Sequence, residues 1–254
     1  GNEIGQYSNT SFALGQNARI AGTGTDSFQN AYNSYALGYK ATVGYDSVDG
    51  ATVTGANSAY AIGSEALANG KYSYAIGYRA KAKAYGAIAI GTESNINVPK
   101  VASTVASGIN SIAIGSGINV RKQNNTAIGS YNIAGLDASF AVGIGNDISS
   151  RKNAITVLTN GNTGIGTAAP TNKLHVYASS DPVKLEGLQT GTSTDQIVTV
   201  DSNGVLKKVT SSTLPNSTYQ EPWVVQGGTT PATTNSQAIY QSGAVSIWRN
   251  KVFE

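Results

Sequence analysis

KYSYAIGYRAKAKAYGAIAIG, residues 71–91, says nearly the same thing twice: Tyr74-Ala75-Ile76-Gly77 and, fourteen residues on, Ile88-Ala89-Ile90-Gly91. Outward from this stretch the closing glycine of the same small-apolar-Gly phrase recurs at Gly15, Gly38, Gly63, Gly77, Gly91, Gly115, Gly129 and Gly143. The spacings are 23, 25, 14, 14, 24, 14 and 14, a unit of 14 interrupted by three insertions of about ten. A fixed period of this kind is the mark of a stacked-repeat architecture.

Side chains of a strand alternate between its two faces, so each copy divides by parity. One and three residues before the glycine stand bulky groups: Leu14 with Phe12, Leu37 with Tyr35, Ile62 with Tyr60, Ile76 with Tyr74, Ile90 with Ile88, Ile114 with Ile112, Ile128 with Thr126, Val142 with Phe140. Two and four residues before it stand only small ones: Ala13 and Ser11, Ala36 and Ser34, Ala75 and Ser73, Ala89 and Ala87, with Asn125 and Ser139 in the last copies. A second alternation follows the glycine, with Ala41 and Val43, Ala66 and Ala68, Ala80 and Ala82, Ile118 and Val120 three and five places on. Polar residues such as Arg19, Lys81, Lys83, Asn95 and Asn119 lie between or beyond them.

Each unit therefore reads as two short strands joined by turns. Coils of this size, stacked at about 4.8 Å, form a solenoid whose strands bond to the next coil. The small residues face one another across a narrow lumen, and the bulky row is left outside. A stripe that long exceeds what a soluble monomer exposes, and covering each side chain is worth about 2 kcal/mol. A symmetric oligomer that buries the same face of each copy is the expected answer. The competing arrangement, a single-chain β-helix with the bulky row inside, would bury the hydroxyls of Tyr35, Tyr60 and Tyr74 and turn the uniformly small face to solvent.

Composition narrows the function. Charged residues are 12% of the chain, the formal net charge is +3, and there are 30 glycines and 14 tyrosines. So small a positive charge does not predict nucleic acid or an anionic membrane as partner. With no cysteine there is no disulfide framework or thiolate metal site, which suits an exported protein. There is no run of eighteen apolar residues. The opening Gly1-Asn2-Glu3 and the strand-like run at the other end read as a processed form or excised piece of a longer fibre.

The repeated Ser-x-Ala-Ile-Gly core resembles the YadA-like head of trimeric autotransporter adhesins over residues 5 to 157. The resemblance implies a left-handed parallel β-roll, associated as a homotrimer, that projects from a surface and binds host or neighbouring-cell molecules. The number three comes from that family; the periodicity supplies only self-association. The insertions near 21 to 31, 44 to 56 and 97 to 107 depart from the plainest repeat and are expected to be outward loops. The final coil is expected to close on Arg151 to Val157.

NGNTGIGTAAPTNKLHV, residues 160–176, resembles a Gly-Ile-Gly-Thr…Pro…Lys-Leu-His-Val segment of bacterial surface fibres and phage tail fibres, which implies a transition between shaft sections. Its Asn160-Gly161 predicts a turn between two strands, with Pro170 stopping the second. Asn203-Gly204 predicts a hairpin within QIVTVDSNGVLKKV. A last β-rich unit carries Trp223 and Trp248 around a Thr-rich middle.

No catalytic, cofactor or metal site is expected. His175 is the lone histidine and reads as a strand residue, since nucleophile, base and orienting acid cannot be assembled around it. Gly143-Ile144-Gly145 and Gly164-Ile165-Gly166 lack the helix a dinucleotide fingerprint opens. Asp46 and Asp49 fit a solvated turn better than a calcium loop. The candidate ligand-binding surface is Lys71, Tyr78, Arg79, Lys81 and Lys83, with Tyr72 and Tyr85 interleaved and Arg121 equivalent to Lys83; the competing reading is a solvated face that discourages edge pairing. The candidate interface between chains is Leu14, Leu37, Tyr60, Ile62, Tyr74, Ile76, Ile88, Ile90, Ile112, Ile114, Ile128, Phe140 and Val142.

The whole predicts an all-β, non-enzymatic fibre: a β-roll head at 1–157, a Gly-rich connector at 158–180, a β-hairpin module at 181–222 and a further β module at 223–254. It attaches through multivalent binding to a cell-surface glycan or protein, either as an extracellular adhesin on a bacterial surface or as a phage or injection-system tail fibre. A tailspike hydrolase would need two spaced carboxylates in a groove, and no such pair stands out among 14 acidic residues.

Overall fold

The computed structural model describes residues 1–5, 8–20, 31–44, 56–93, 102–192 and 195–209, and beyond them two short strands. It divides into two units, residues 1–184 and 185–254. Trp223, Trp248, Asp46, Asp49, Asn95 and most of the three insertions lie outside the described residues.

The first unit is a parallel β-roll. One sheet stacks β1 (Glu3–Ile4), β3 (Arg19–Ile20), β5 (Thr42–Val43), β7 (Leu67–Ala68), β9 (Lys81–Ala82), β11 (Val105–Ala106) and β13 (Asn119–Val120). The other stacks β2 (Phe12–Leu14), β4 (Tyr35–Leu37), β6 (Tyr60–Ile62), β8 (Tyr74–Ile76), β10 (Ile88–Thr92), β12 (Ile112–Ser116), β14 (Thr126–Ser130) and β15 (Ala138–Ile144). Within these two stacks every pairing is parallel and sets each residue on its equivalent in the next coil: Tyr74 on Ile88, Ala75 on Ala89, Ile76 on Ile90. The repeat seen in the sequence is thus a column in space.

Between the sheets lies a lumen of alanine. Ala36, Ala61, Ala75, Ala89 and Ala113 from one sheet and Ala68, Ala82 and Ala106 from the other are fully buried, and Ile20, Val43, Ile118 and Val120 are the bulkiest groups among them. Leu14 is 58% exposed, Tyr74 40% and Ile114 40%. The arrangement with the bulky row inside is thereby overturned.

The interval has a steric cause in the glycine column. Gly77 and Gly91 sit at φ +119 and +152, and a Cβ on either would stand 2.0 and 1.7 Å from the carbonyl oxygen of Gly91 and Gly115 in the next coil. Each coil then turns through two tight corners. At the first, Ala18, Ala41 and Ala66 donate to the carbonyls of Gly15, Gly38 and Gly63, with Asn17, Lys40 and Glu65 in the left-handed region. At the second, Ser73 and Ser111 donate to Gly70 and Gly108, with Tyr72 and Asn110 left-handed. An i→i+3 bond with positive φ at the second of the two central residues and not the first is the signature of a type II turn.

Insertions are admitted at either corner. Those after β3 and β5 enter at the second corner, where serine hydroxyls catch the returning chain: Ser11 Oγ donates to Ala31 O at 2.6 Å and Ser34 Oγ to Ala56 O at 2.8 Å. The third differs from the expected loop over 97 to 107. It leaves after Glu93 at the first corner, and Thr104 to Ala106 already belong to the roll, with Thr104 and Ala106 buried. A coil demands one residue per column and is indifferent to the length of chain between columns.

The roll does not close on another parallel coil. β16 (Asn153–Leu158) runs antiparallel to β15, a correction to the coil expected at Arg151 to Val157, and the register shifts between Ala138 and Phe140. That irregularity turns Ser139 outward and puts Ala138 inside, opposite to the parity expectation. β17 (Thr163–Ile165) pairs antiparallel with β16 around Asn160-Gly161, and β18 (Leu174–Val176) adds in parallel. The connector's strands therefore prolong the same sheet.

The edge of the shorter sheet is finished by side chains. Asn132 accepts the Asn119 N–H at 2.8 Å and donates to the Asn119 carbonyl at 3.0 Å, taking the place of the missing next strand. Arg151, above the Tyr131 ring, donates to the carbonyls of Gly117 and Asn132 at 3.0 Å each, and burial lowers its pKa from the ordinary value. Because Asn132 is buried, Asn132→Ala orphans two backbone groups and is expected to destabilise this unit by about 2 kcal/mol, visible as a lower thermal midpoint.

In the second unit β19 (Ile197–Val200) and β20 (Leu206–Val209) form the antiparallel hairpin expected around Asn203-Gly204. Asp201 Oδ1 accepts the amides of Asn203 and Val205, which hold its carboxyl below the usual range, Val205 contributing most. β21 (Val224–Val225) and β22 (Ile239–Tyr240) pair antiparallel.

Candidate interaction surfaces

Because every coil keeps its register, the outward residues of the longer sheet line up in two files. Tyr35, Tyr60, Tyr74, Ile88, Ile112, Thr126 and Phe140 form one, and Leu37, Ile62, Ile76, Ile90, Ile114, Ile128 and Val142 the other, with Phe12 and Leu14 at the foot. Three tyrosines stack face to face, Tyr35 on Tyr60 at 5.2 Å and Tyr60 on Tyr74 at 4.9 Å. All thirteen residues singled out as a candidate interface stand on this outer face, half-buried or exposed, and none enters the lumen.

The face extends further than the sequence reading carried it. Val142 pairs with Ile155, Ile155 with Ile165, and Ile165 with Val176. Directly paired residues share a side of the sheet, so the apolar file runs through the change from parallel to antiparallel strands without a break. Ile155 and Ile165 were missed because neither β16 nor the connector carries a copy of the fourteen-residue phrase.

The candidate ligand-binding residues are not brought to one place. Tyr78 and Arg79 sit at the first corner, Lys81 on the outer face of the shorter sheet, and Lys71 at the second corner with Lys83 on its approach. Arg79, itself left-handed at φ 55, lies between the carboxylates of the coils on either side, 2.5 Å from Glu65 and 2.8 Å from Glu93. Those carboxylates hold its pKa above the ordinary value, the hydrogen bond to Glu65 contributing most. The same guanidinium lies 5.0 Å from the Tyr78 ring centroid. His175 is a residue of β18 opposite Gly164, with its Nδ1 3.4 Å from the Thr171 amide. No group of three or more His, Cys, Asp or Glu side chains placed to hold a metal occurs among the described residues.

The stacked coils with an alanine lumen and an outward apolar face define a parallel β-roll of the repeat-built kind. Residues 68–94 and 102–117 match the YadA head domain repeat, as two copies, so this stretch of the roll is similar to that repeat. No curated protein and no solved structure matches the chain.

Proposed function

We propose that the chain is a segment of a trimeric surface adhesin, a non-enzymatic fibre that presents its outer faces to another cell or host surface. The head is residues 1–157, the connector 158–180, and modules follow at 181–222 and 223–254. The observation that carries the reading is the unbroken apolar file from Leu14 to Val176 on one side of one sheet. Such a surface is dry only when sister chains cover it, and Leu14, Leu37, Tyr60, Ile62, Tyr74, Ile76, Ile88, Ile90, Ile112, Ile114, Ile128, Phe140 and Val142 are the residues that meet across the axis. Three equivalent copies of each outer corner then give avidity without high affinity at any one site.

Light scattering on the purified chain is expected to give three times the 26.0 kDa chain mass. A folded, stable species at the single-chain mass overturns the assembly and the adhesive reading with it. The strands β17 and β18, which lie within the tail-fibre-like segment, favour the second reading of a phage or injection-system fibre. A membrane-anchor barrel or neighbouring tail genes in the full-length locus would decide between the two carriers.

A further inference from the structure

We propose that the end of the shorter sheet carries a site for a single carboxylate, held by the guanidinium and backbone amide of Arg121 beside a small cavity that Asn125 lines. The inference stands apart from the adhesive reading and from the number of chains. Its first ground is an amide left over where the stack ends. In the coils below, the amide just past each strand donates to the next coil: Asn69 to Ala82 O at 2.9 Å, Lys83 to Ala106 O and Ser107 to Val120 O at 2.8 Å each. Arg121 is the equivalent residue after β13, and no acceptor meets its amide among the described residues. Asn132 seals only the Asn119 end of that strand.

The second observation is a cavity at the same place. A space of about 20 Å³ lies beside Arg121, with Asn119, Asn125, Asn132, Gly135 and Leu136 among the residues of its wall. It has room for a group little larger than a water. Two of the amide oxygens are already engaged: Asn119 Oδ1 accepts from Arg121 Nε at 3.4 Å, and Asn132 Oδ1 from the Asn119 N–H at 2.8 Å. Asn125, which is buried, donates one amide hydrogen to Leu136 O at 3.3 Å and keeps the other. Donors are therefore in excess at this wall, which suits a group that only accepts.

The third is uncompensated charge. Arg121 is exposed and pairs with no carboxylate among the described residues, while its neighbour Lys122 holds Asp137 at 3.0 Å. Arg151 contacts only the carbonyls of Gly117 and Asn132 and the Tyr131 ring. Burial, the larger cause, and the charge of Arg121 both lower the Arg151 pKa. The two guanidinium groups thus repel each other, and an anion at this edge relieves the repulsion. A guanidinium offers a carboxylate two parallel N–H donors, and the Arg121 backbone amide adds a third. The cavity takes one carboxylate oxygen but not a whole tetrahedral anion.

The test uses the full chain and scanning calorimetry at constant ionic strength, with sodium acetate, sodium glucuronate and sodium chloride as separate arms and glucose as the uncharged control. The carboxylates should raise the thermal midpoint in a saturable manner, as a ligand bound only to the folded chain does, and chloride should do so less. A larger effect of glucuronate identifies a carboxylate carried on a sugar as the guest, and a larger effect of acetate a bare one; either supports the site. Arg121→Gln keeps the backbone amide but loses the guanidinium, and should weaken the apparent carboxylate affinity at least about tenfold. Lys122→Gln removes the neighbouring charge outside the cavity and should leave the response as it is. Each variant is read against its own midpoint without carboxylate, so a change in stability alone does not count as loss of the site. No saturable rise with either carboxylate, an equal rise with chloride or glucose, an undiminished response in Arg121→Gln, or an equal loss in Lys122→Gln would each overturn the proposal.

Discussion

Gly91→Ala is expected to prevent the roll from forming as one cooperative unit, at a cost of about 4 kcal/mol or more. Two penalties coincide at this position. The backbone is at φ +152, in a region that L residues rarely adopt, and the added Cβ would lie 1.7 Å from Gly115 O and 2.8 Å from its carbonyl carbon. Neither neighbour is the end of a flexible side chain. Relief requires separating the coils, and separation breaks the ladder that holds them, such as Ile88 N–H to Ser111 O at 2.8 Å and Ile112 N–H to Asn125 O at 2.9 Å. In an alanine lumen little buried apolar area per residue is available to compensate. Gly135 supplies the comparison, because it is also at positive φ, +80, but a Cβ there meets nothing within 4 Å. Gly135→Ala should therefore cost only the conformational penalty, about 1 kcal/mol. Thermal melts followed by far-ultraviolet circular dichroism distinguish the two, and equal midpoints for both variants would show that the glycine column is not what sets the coil spacing.

The same column explains which parts of the structure were legible beforehand. Residues that repeat with a fixed period and parity, such as Ala75 and Ala89 inside and Ile76 and Ile90 outside, are constrained by every neighbouring coil at once, so their placement follows from counting. Corners are constrained only in backbone shape. Asn17, Lys40, Glu65 and Arg79 all occupy one left-handed position, and no shared side-chain chemistry announces it. The pairing of Arg79 with carboxylates fourteen residues to either side was readable from spacing once the turn was known, yet the basic and aromatic residues near it suggested one surface where the structure has two. The closing strand was misread for a related reason. NAITVL in β16 has the alternation of a coil strand, and alternation carries no information about direction. Asn132 and Arg151 finish the edge of the shorter sheet where a further coil would stand, and their contacts with Asn119 and Gly117 span coils and leave no local pattern.

Ile90→Asp and Ile114→Asp, each made singly, are expected to separate the chains while leaving the coil intact. Both positions point away from the lumen and are about two-fifths exposed in one chain, Ile90 36% and Ile114 40%, so within a single roll a carboxylate there stays hydrated and costs little. Across a symmetry axis the balance reverses. Each substitution places one carboxylate per chain around the same axis, and an unpaired buried charge costs several kcal/mol for each ion. A loss of about 4 kcal/mol from association weakens it roughly a thousandfold, enough to shift the scattering mass to that of one chain at micromolar concentration. Ile155→Asp and Ile165→Asp extend the argument beyond the fourteen-residue repeat. They occupy the same file in β16 and β17, so they should dissociate the assembly as strongly if the interface follows the sheet, and leave it intact if it follows only the repeated coils. Asn124→Asp at the second corner should change neither mass nor melting. Retention of the wild-type mass by the Ile90 and Ile114 variants would mean that the apolar file is covered by something other than its own copies.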